Sequence, residues 1–500
     1  MASIGIELCD TGFLTANGES AEPRLVEVAD QNGTTEWPGF CYQDGPNLTF
    51  GRAAEDMWFV HPRNVVHTFW ARLAHEPSLL HSGAKPASFS EIAFLFLSEF
   101  THRLRAATGP IERVVLAVPG AYLKDAQTEE EKIGLLLGLA GELKLPLAGL
   151  IDMACAALCD PRSTGFNPAL PVAVVDLHLE GADITLLATN DRLERRDFIH
   201  LPQCGYAHLL KQLTGTMGNR FLRHTAFDIL EDGKVEQMFF RQTRDFLINE
   251  SFEYRYHINT ERRAYEMTAK REQLGSDAHA FVSSLVKGLQ SFLHNSAVAS
   301  EPCTIALTDR AAHLPGLEAR LRLTGFNRLM RLLPGAAACG AAYIGANRLK
   351  IVAELSEVPL EIAVPLSDTR RASAAPWDVR LQKNRHAGPR IAPTHAILDG
   401  IGHAIGSKPR FTIGISSLGA DLLLPETFNR ADDCSVPLVH EGGRWWFVDT
   451  VSARSVNGTE GPTPRTVVEA GDRLTLHCGS AAAEILFAHC ATTNGTHVSG

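Results

Sequence analysis

Short apolar runs alternate with longer amphipathic stretches along this chain, and their order predicts a repeated unit. From Ser3 to about Ala16, an apolar run, a turn and a second apolar run predict a β-hairpin, and residues 172–187 repeat the pattern. Between the hairpins, residues 89–107 read as helix, 113–118 as strand and about 125–143 as helix, followed by a strand at 149–151 and a helix at 154–158. Residues 206–295 place charged and amide side chains opposite Leu, Phe and Val, which predicts a helical lobe. A strand at 303–307, a helix at 315–323 and a run of small residues from Gly335 to Gly345 follow; small side chains let a helix approach its neighbour closely, so that run predicts a packed core helix. Residues 368–393, rich in Arg, Ala, Pro and Ser without a period, read as an interdomain linker. From His395 onward, short strands alternate with Gly, Pro, Asn and Asp turns, which predicts an all-β sandwich.

Composition narrows the function classes. At 500 residues, 45% hydrophobic and 21% charged, the chain has the balance of an ordinary globular protein, and its formal charge of -10 argues against a nucleic-acid or anionic-membrane binder, which needs a positive field. The opening MASIGIEL lacks the charged and apolar segments of a signal peptide, and the apolar stretch 133–158 is broken by Glu142, Lys144 and Asp152, so a cytoplasmic protein is expected. Ten cysteines include no CxxC pair and twenty histidines include no HExxH, so no metal site is expected.

Four segments then carry a family resemblance. IGIELCDTG from Ile4, GRAAEDMWFVHPRNVVHTFWARL from Gly51, VVLAVPGAYLKDAQ through DMACAAL from Val114, and VAVVDLHLEGADITLL from Val172 resemble, in order and spacing, the nucleotide-binding domain of 70-kDa heat-shock chaperones in the actin ATPase superfamily. The resemblance spans residues 1–350 and implies an α/β actin-like fold of two lobes with duplicated β-hairpin and α units. It also implies a nucleotide cleft in which glycine-rich turns wrap phosphates, because backbone N–H groups reach an anion only where side chains are absent.

Measured against that family, this cleft departs at its chemical positions. Cys9 and Asp10, ahead of Thr11, stand where the first phosphate loop has Gly-Thr, and His178, Leu179, Glu180 and Gly181 stand where the second has Gly-Gly-Gly-Thr. Glu7 replaces the first metal-supporting Asp, while Asp176 and Asp183 are retained. The phosphate-contacting lysine falls near Trp70, leaving Arg72 as the nearest cation; the Glu and Thr on the catalytic side become Met153 and Cys155. Asp309-Arg310 replaces the Gly-Gly that leaves room for adenosine. Two reading alternatives stay open for Glu7 and Asp183, metal support or strand-end acids holding the hairpins, and His178 is expected to be a packed or solvated loop residue.

Residues 395–492 resemble a forkhead-associated domain, through FTIGISSLGADLLLP from Phe411, HEGGRWWFVDTVSARSVNG from His440 and EAGDRLTLH from Glu469, after a linker at 351–394 and before a tail at 493–500. Trp445 and Trp446, adjacent on one strand, should point to opposite faces, placing at least one in the core. Phosphate recognition in that family relies on an Arg where this chain has Ile415, followed by Ser416; the later Ser-containing segment holds Asp432, and only Arg430 and Arg454 supply nearby cations. The Asn457-Gly458 turn is retained. Acids facing a phosphate repel it, so phosphothreonine peptide is not an expected ligand.

Together these resemblances imply a non-enzymatic pseudo-ATPase scaffold that binds protein partners, with no cofactor expected. The alternatives are a nucleotide-binding switch with weak or no hydrolysis, which takes ATP or ADP with Mg²⁺ if the cleft is open, and a residual ATPase with Asp176 orienting water and Arg72 at the phosphates.

Overall fold

The computed structural model describes residues 3–19, 22–28, 35–82, 85–163, 170–189, 192–261, 263–296, 303–347, 349, 358–361, 363–365, 378–382, 392–398, 401–405, 410–414, 420–424, 435–441, 444–448, 465–470, 472–478 and 481–489. The class is mixed α/β. The chain divides into two compact units, residues 1–163 with 167–366, and residues 164–166 with 367–500.

The first unit contains two six-stranded sheets that repeat one pairing pattern. In one, Ser3–Glu7 pairs antiparallel with Leu14–Asn17 and parallel with Arg113–Val118, which pairs parallel with Leu147–Asp152. In the other, Val172–Leu177 pairs antiparallel with Ala182–Ala188 and parallel with Thr304–Leu307, which pairs parallel with Leu329–Arg331. Every residue of Ser3–Glu7, Arg113–Val118 and Val172–Leu177 is buried, so these strands are covered on both faces and their unbroken apolar runs follow from that. The sequence repeat is therefore a repeat of sheet architecture, and it sets the turn after each leading strand at an equivalent place.

Helix Phe89–Thr108 begins at a capping box in which Ser88 and Glu91 satisfy each other's backbone N–H groups. Its buried face carries Phe96 and Phe100, whose rings lie 5.0 and 5.3 Å from that of Phe13. Trp70, at the expected position of the phosphate-contacting lysine, is buried in this aromatic cluster 4.9 Å from Phe13. The small-residue run forms helix Ala336–Asn347, as expected, and packs backbone to backbone: a Cβ at Gly340 would lie 1.7 Å from the Ala156 carbonyl oxygen of helix Met153–Cys159. A Gly340→Ala substitution is therefore expected to destabilise the unit by about 1–3 kcal/mol or more, read as a lower urea midpoint, since the clash is with backbone that cannot rotate away.

Two boundaries differ from the sequence expectation. The region 206–295 is not wholly helical: helices Tyr206–Thr225, Gly233–Ile248 and Arg271–Asn295 enclose an antiparallel hairpin, Glu253–Asn259 with Ala264–Lys270. The span 351–394 is not only linker, because Leu360–Glu361 adds to the first sheet, Ala363–Pro365 to the second, and Asp378–Gln382 pairs with Arg473–Cys478 in the second unit. Two-residue strands draw their stability from the ladder they join and leave almost no pattern in the chain.

The second unit has two five-stranded sheets. Ala396, Leu474 and Ile485 of one join Ile413, Leu438 and Trp445 of the other in a single apolar cluster. Trp445 is buried and Trp446 half-buried, as alternation along a strand requires. Ile415, Ser416, Arg430, Asp432, Arg454 and Asn457 lie outside the described residues. Among the described residues, no helix is long and apolar enough to cross a membrane.

Candidate functional site

Both leading strands of the first unit end in turns that face each other, and their side chains fill the space between. The turn after Ser3–Glu7 carries Cys9, Asp10 and Thr11; the turn after Val172–Leu177 carries His178 and is closed by the His178 N–H donating to the Gly181 carbonyl at 2.8 Å. At Gly181 a Cβ would meet the His200 ring at 2.4 Å and the Leu201 carbonyl oxygen at 3.0 Å, so any larger residue there would have to displace His200. Asp10 accepts the Leu179 N–H at 2.8 Å, so the first turn is tied directly to the second. A backbone donor of the second turn is thus already occupied by a carboxylate of the first.

His178 sits at the centre and is buried. Its Nδ1 lies 3.4 Å from Cys9 Sγ and 3.7 Å from Asp10 Oδ1, while its Nε2 lies 3.4 Å from Asp183 Oδ2 and 3.6 Å from Asp176 Oδ2. Burial alone would lower the imidazole pKa; the negative charge that Cys9, Asp183 and Asp10 can carry around it reverses this and holds it well above its ordinary value. Burial would raise Asp183 and Asp10, but His178 outweighs it in both, with His200 adding to the effect on Asp183, and both carboxyls are held below their usual range. Burial pushes the Cys9 thiol up.

Asp183 also accepts the Ala121 N–H at 3.2 Å and pairs with His200 at 2.7 Å, so it ties its strand to the segment after Arg113–Val118. Cys9 Sγ lies 3.0 Å from the Thr11 hydroxyl, and Thr11 is buried.

A second cluster lies beside the first. Arg310, in the short helix Asp309–Ala312, donates to Glu7 and lies 3.5 Å from Asp176 and 3.8 Å from Glu36. Asp176 also accepts the Thr308 hydroxyl at 2.8 Å. The guanidinium therefore sits between Glu7 and Asp176, two of the three acids at the metal-supporting positions of the resemblance. Burial pushes the Glu7 carboxyl up to about 7 even against the pull of Arg310.

Two cavities meet at His178 and Asp183. The smaller, about 20 Å³, is lined by Glu7, Met153, Asp176, Asp309 and Arg310 among others, which is room for about one water molecule. The larger, about 490 Å³, is lined by Asp10, Trp70, Arg72, Lys124, Lys132 and His200 among others. Arg72 is half-exposed there, paired with Glu76 at 3.1 Å and lying over the Phe89 ring. The structure thus brings together Glu7, Asp10, Thr11, Asp176, Gly181, Asp183, Asp309 and Arg310, and places Arg72 on the wall of the larger cavity.

Sequence reasoning missed His200 and Arg195, the latter bound to Asp152 at 3.0 Å and to the Gly120 carbonyl at 3.2 Å. It also treated Arg310 as a filler of the base pocket and His178 as a packed or solvated loop residue; His178 is buried, and what the sequence did not show is its place among Cys9, Asp10, Asp176 and Asp183. For His178 the signal is the duplication itself, since the turns after two equivalent strands occupy equivalent places; Arg310, Arg195 and His200 lie outside both turns and leave no such signal.

No protein-family model matches the chain, and no curated protein matches it.

Proposed function

We propose that the chain is a non-enzymatic scaffold for protein partners, built on an actin-like ATPase fold whose nucleotide cleft is occupied by its own side chains, with a forkhead-associated-like second unit. The duplicated sheet pattern supports the first fold assignment, and the two sheets sharing one apolar cluster support the second. The observation that carries the functional reading is Arg310 between Glu7 and Asp176, next to the Asp10–Leu179 tie, with a cavity of only about 20 Å³ left among these acids. Phosphoryl transfer depends on positioning phosphates and neutralising their charge with a metal. Here a fixed guanidinium takes the cation's place, and Asp10 adds negative charge where phosphates would approach.

A second reading, the nucleotide-responsive switch, is favoured by the larger cavity with Arg72, Lys124 and Lys132 on its walls, a volume within the ordinary range of small-molecule sites. A thermal-shift titration with ATP, ADP and GTP in the presence of Mg²⁺ separates the two. Binding at a hundredfold excess over Kd would add about 2.7 kcal/mol. The scaffold reading expects no shift; a saturable shift that Lys132→Ala and Arg72→Ala abolish would replace it with the switch.

A further inference from the structure

We propose that Cys9, Asp10 and His178 bind one thiophilic divalent cation, of which Zn²⁺ is the representative. Their three donor atoms, Sγ, Oδ1 and Nδ1, come from two turns whose cysteine and histidine are 169 residues apart and which no sequence motif connects. The edges of this donor triangle are 3.4 Å from sulfur to nitrogen, 3.9 Å from sulfur to oxygen and 3.7 Å from nitrogen to oxygen. A tetrahedral ion with bonds of about 2.3 Å to sulfur and about 2.0–2.1 Å to nitrogen and oxygen has edges of about 3.3–3.6 Å. The triangle therefore closes on such an ion with movements of a few tenths of an ångström.

The surroundings point the same way independently. A ligating histidine ordinarily presents its other ring nitrogen to a carboxylate, which fixes the ring and strengthens the ligand. The Nε2 of His178 faces Asp183 at 3.4 Å and Asp176 at 3.6 Å, and Asp183 is itself held by the Ala121 N–H and His200. Asp10 is oriented by the Leu179 N–H. All three ligands are buried, and the Thr11 hydroxyl, 3.0 Å from the sulfur, offers a neutral oxygen beside the set. Asp10 and His178 line the larger cavity, which gives an ion a way in. Sulfur and imidazole nitrogen select against Mg²⁺ and Ca²⁺, which take oxygen donors, so this site differs in chemistry from a magnesium–nucleotide site.

On binding, the Cys9 thiol and the Nδ1 of His178 lose any proton they carry to solvent, Nε2 keeps its hydrogen toward Asp183, and thiolate plus carboxylate balance the divalent charge. The proposal goes beyond the scaffold reading and does not depend on a nucleotide binding to the chain.

The test is titration of the full chain, stripped with a chelator and dialysed, with Co²⁺ as a spectroscopic stand-in and Zn²⁺ as competitor. The expected result is one equivalent of Co²⁺ giving tetrahedral visible bands and a thiolate-to-metal charge-transfer band, both displaced by Zn²⁺. Cys9→Ala is expected to remove the charge-transfer band, and Asp183→Asn to weaken affinity about 10–100-fold. Cys339→Ala, a buried cysteine elsewhere, should change nothing. A wild-type chain without the charge-transfer band overturns the proposal irrespective of how any variant folds, and so does an undiminished band in folded Cys9→Ala.

Discussion

Replacing Arg310 with Met is expected to destabilise the first unit by about 3–5 kcal/mol, among the largest effects of any single substitution in this chain. Arg310 is buried and sits between Glu7 and Asp176, which are buried as well. Removing one partner of a buried ionic cluster leaves the others desolvated without compensation, whereas an intact cluster is roughly neutral against an apolar replacement of the whole. Met conserves much of the side-chain volume, so the loss is electrostatic rather than a cavity. Adding Glu7→Gln to Arg310→Met is expected to recover part of the loss, because Asp176 keeps the Thr308 hydroxyl as a partner. Urea unfolding followed by hydrogen exchange in peptides covering Ser3–Glu7 and Val172–Leu177 reads the effect in the right unit. A loss below about 1 kcal/mol would show that the guanidinium does not hold these acids.

How much of this was readable from the chain depends on the range of the interaction. The leading strands announce themselves because Ile4, Ile6, Val174 and Val175 sit in runs that are buried throughout. The helix Ala336–Asn347 was equally legible, since its Ala and Gly content is what backbone contact demands. The hairpin within 253–270 was not, although Tyr256, Ile258, Met267 and Ala269 do alternate with exposed neighbours. Its exposed positions carry Glu, Arg and Lys, residues that also favour helices, and they masked a period of two.

In the site, Asp176 and Asp183 could be placed because they lie on the two strands of one hairpin, directly paired across it. The partnership of Arg310 with Glu7, 303 residues away, could not. Local pattern says which face of an element is buried and nothing about which distant charge meets it. His178 shows the same limit: one histidine in a turn carries no signal until the sheet repeat brings Cys9 and Asp10 against it.

Glu7 makes the stability of the first unit depend on pH in a direction opposite to that of an ordinary surface carboxylate. Burial raises its folded pKa from 4.5 to about 7, with Arg310 pulling the other way and Asp176 and Asp309 adding to the rise. Between those values the folded state binds a proton that the unfolded chain has released, so the slope of stability with pH is negative. The contribution is fully present below the unfolded pKa and is lost as pH climbs through the folded one. From about pH 5 to pH 8 this amounts to about 2–3 kcal/mol. His178, also raised, acts in the same sense at and above neutral pH, while Asp10 and Asp183, both lowered, lose their contributions only on the acid side of this range. Subtracting the pH profile of Glu7→Gln from that of wild type isolates the Glu7 part, because the other groups are common to both. The two proteins should differ little near pH 5 in relative terms, and Glu7→Gln should gain about 2–3 kcal/mol on wild type by pH 8. Parallel urea-midpoint profiles across that range would mean that Glu7 is ionised throughout, fully neutralised by Arg310, and that the pair behaves as a fixed ionic contact rather than a proton-binding one.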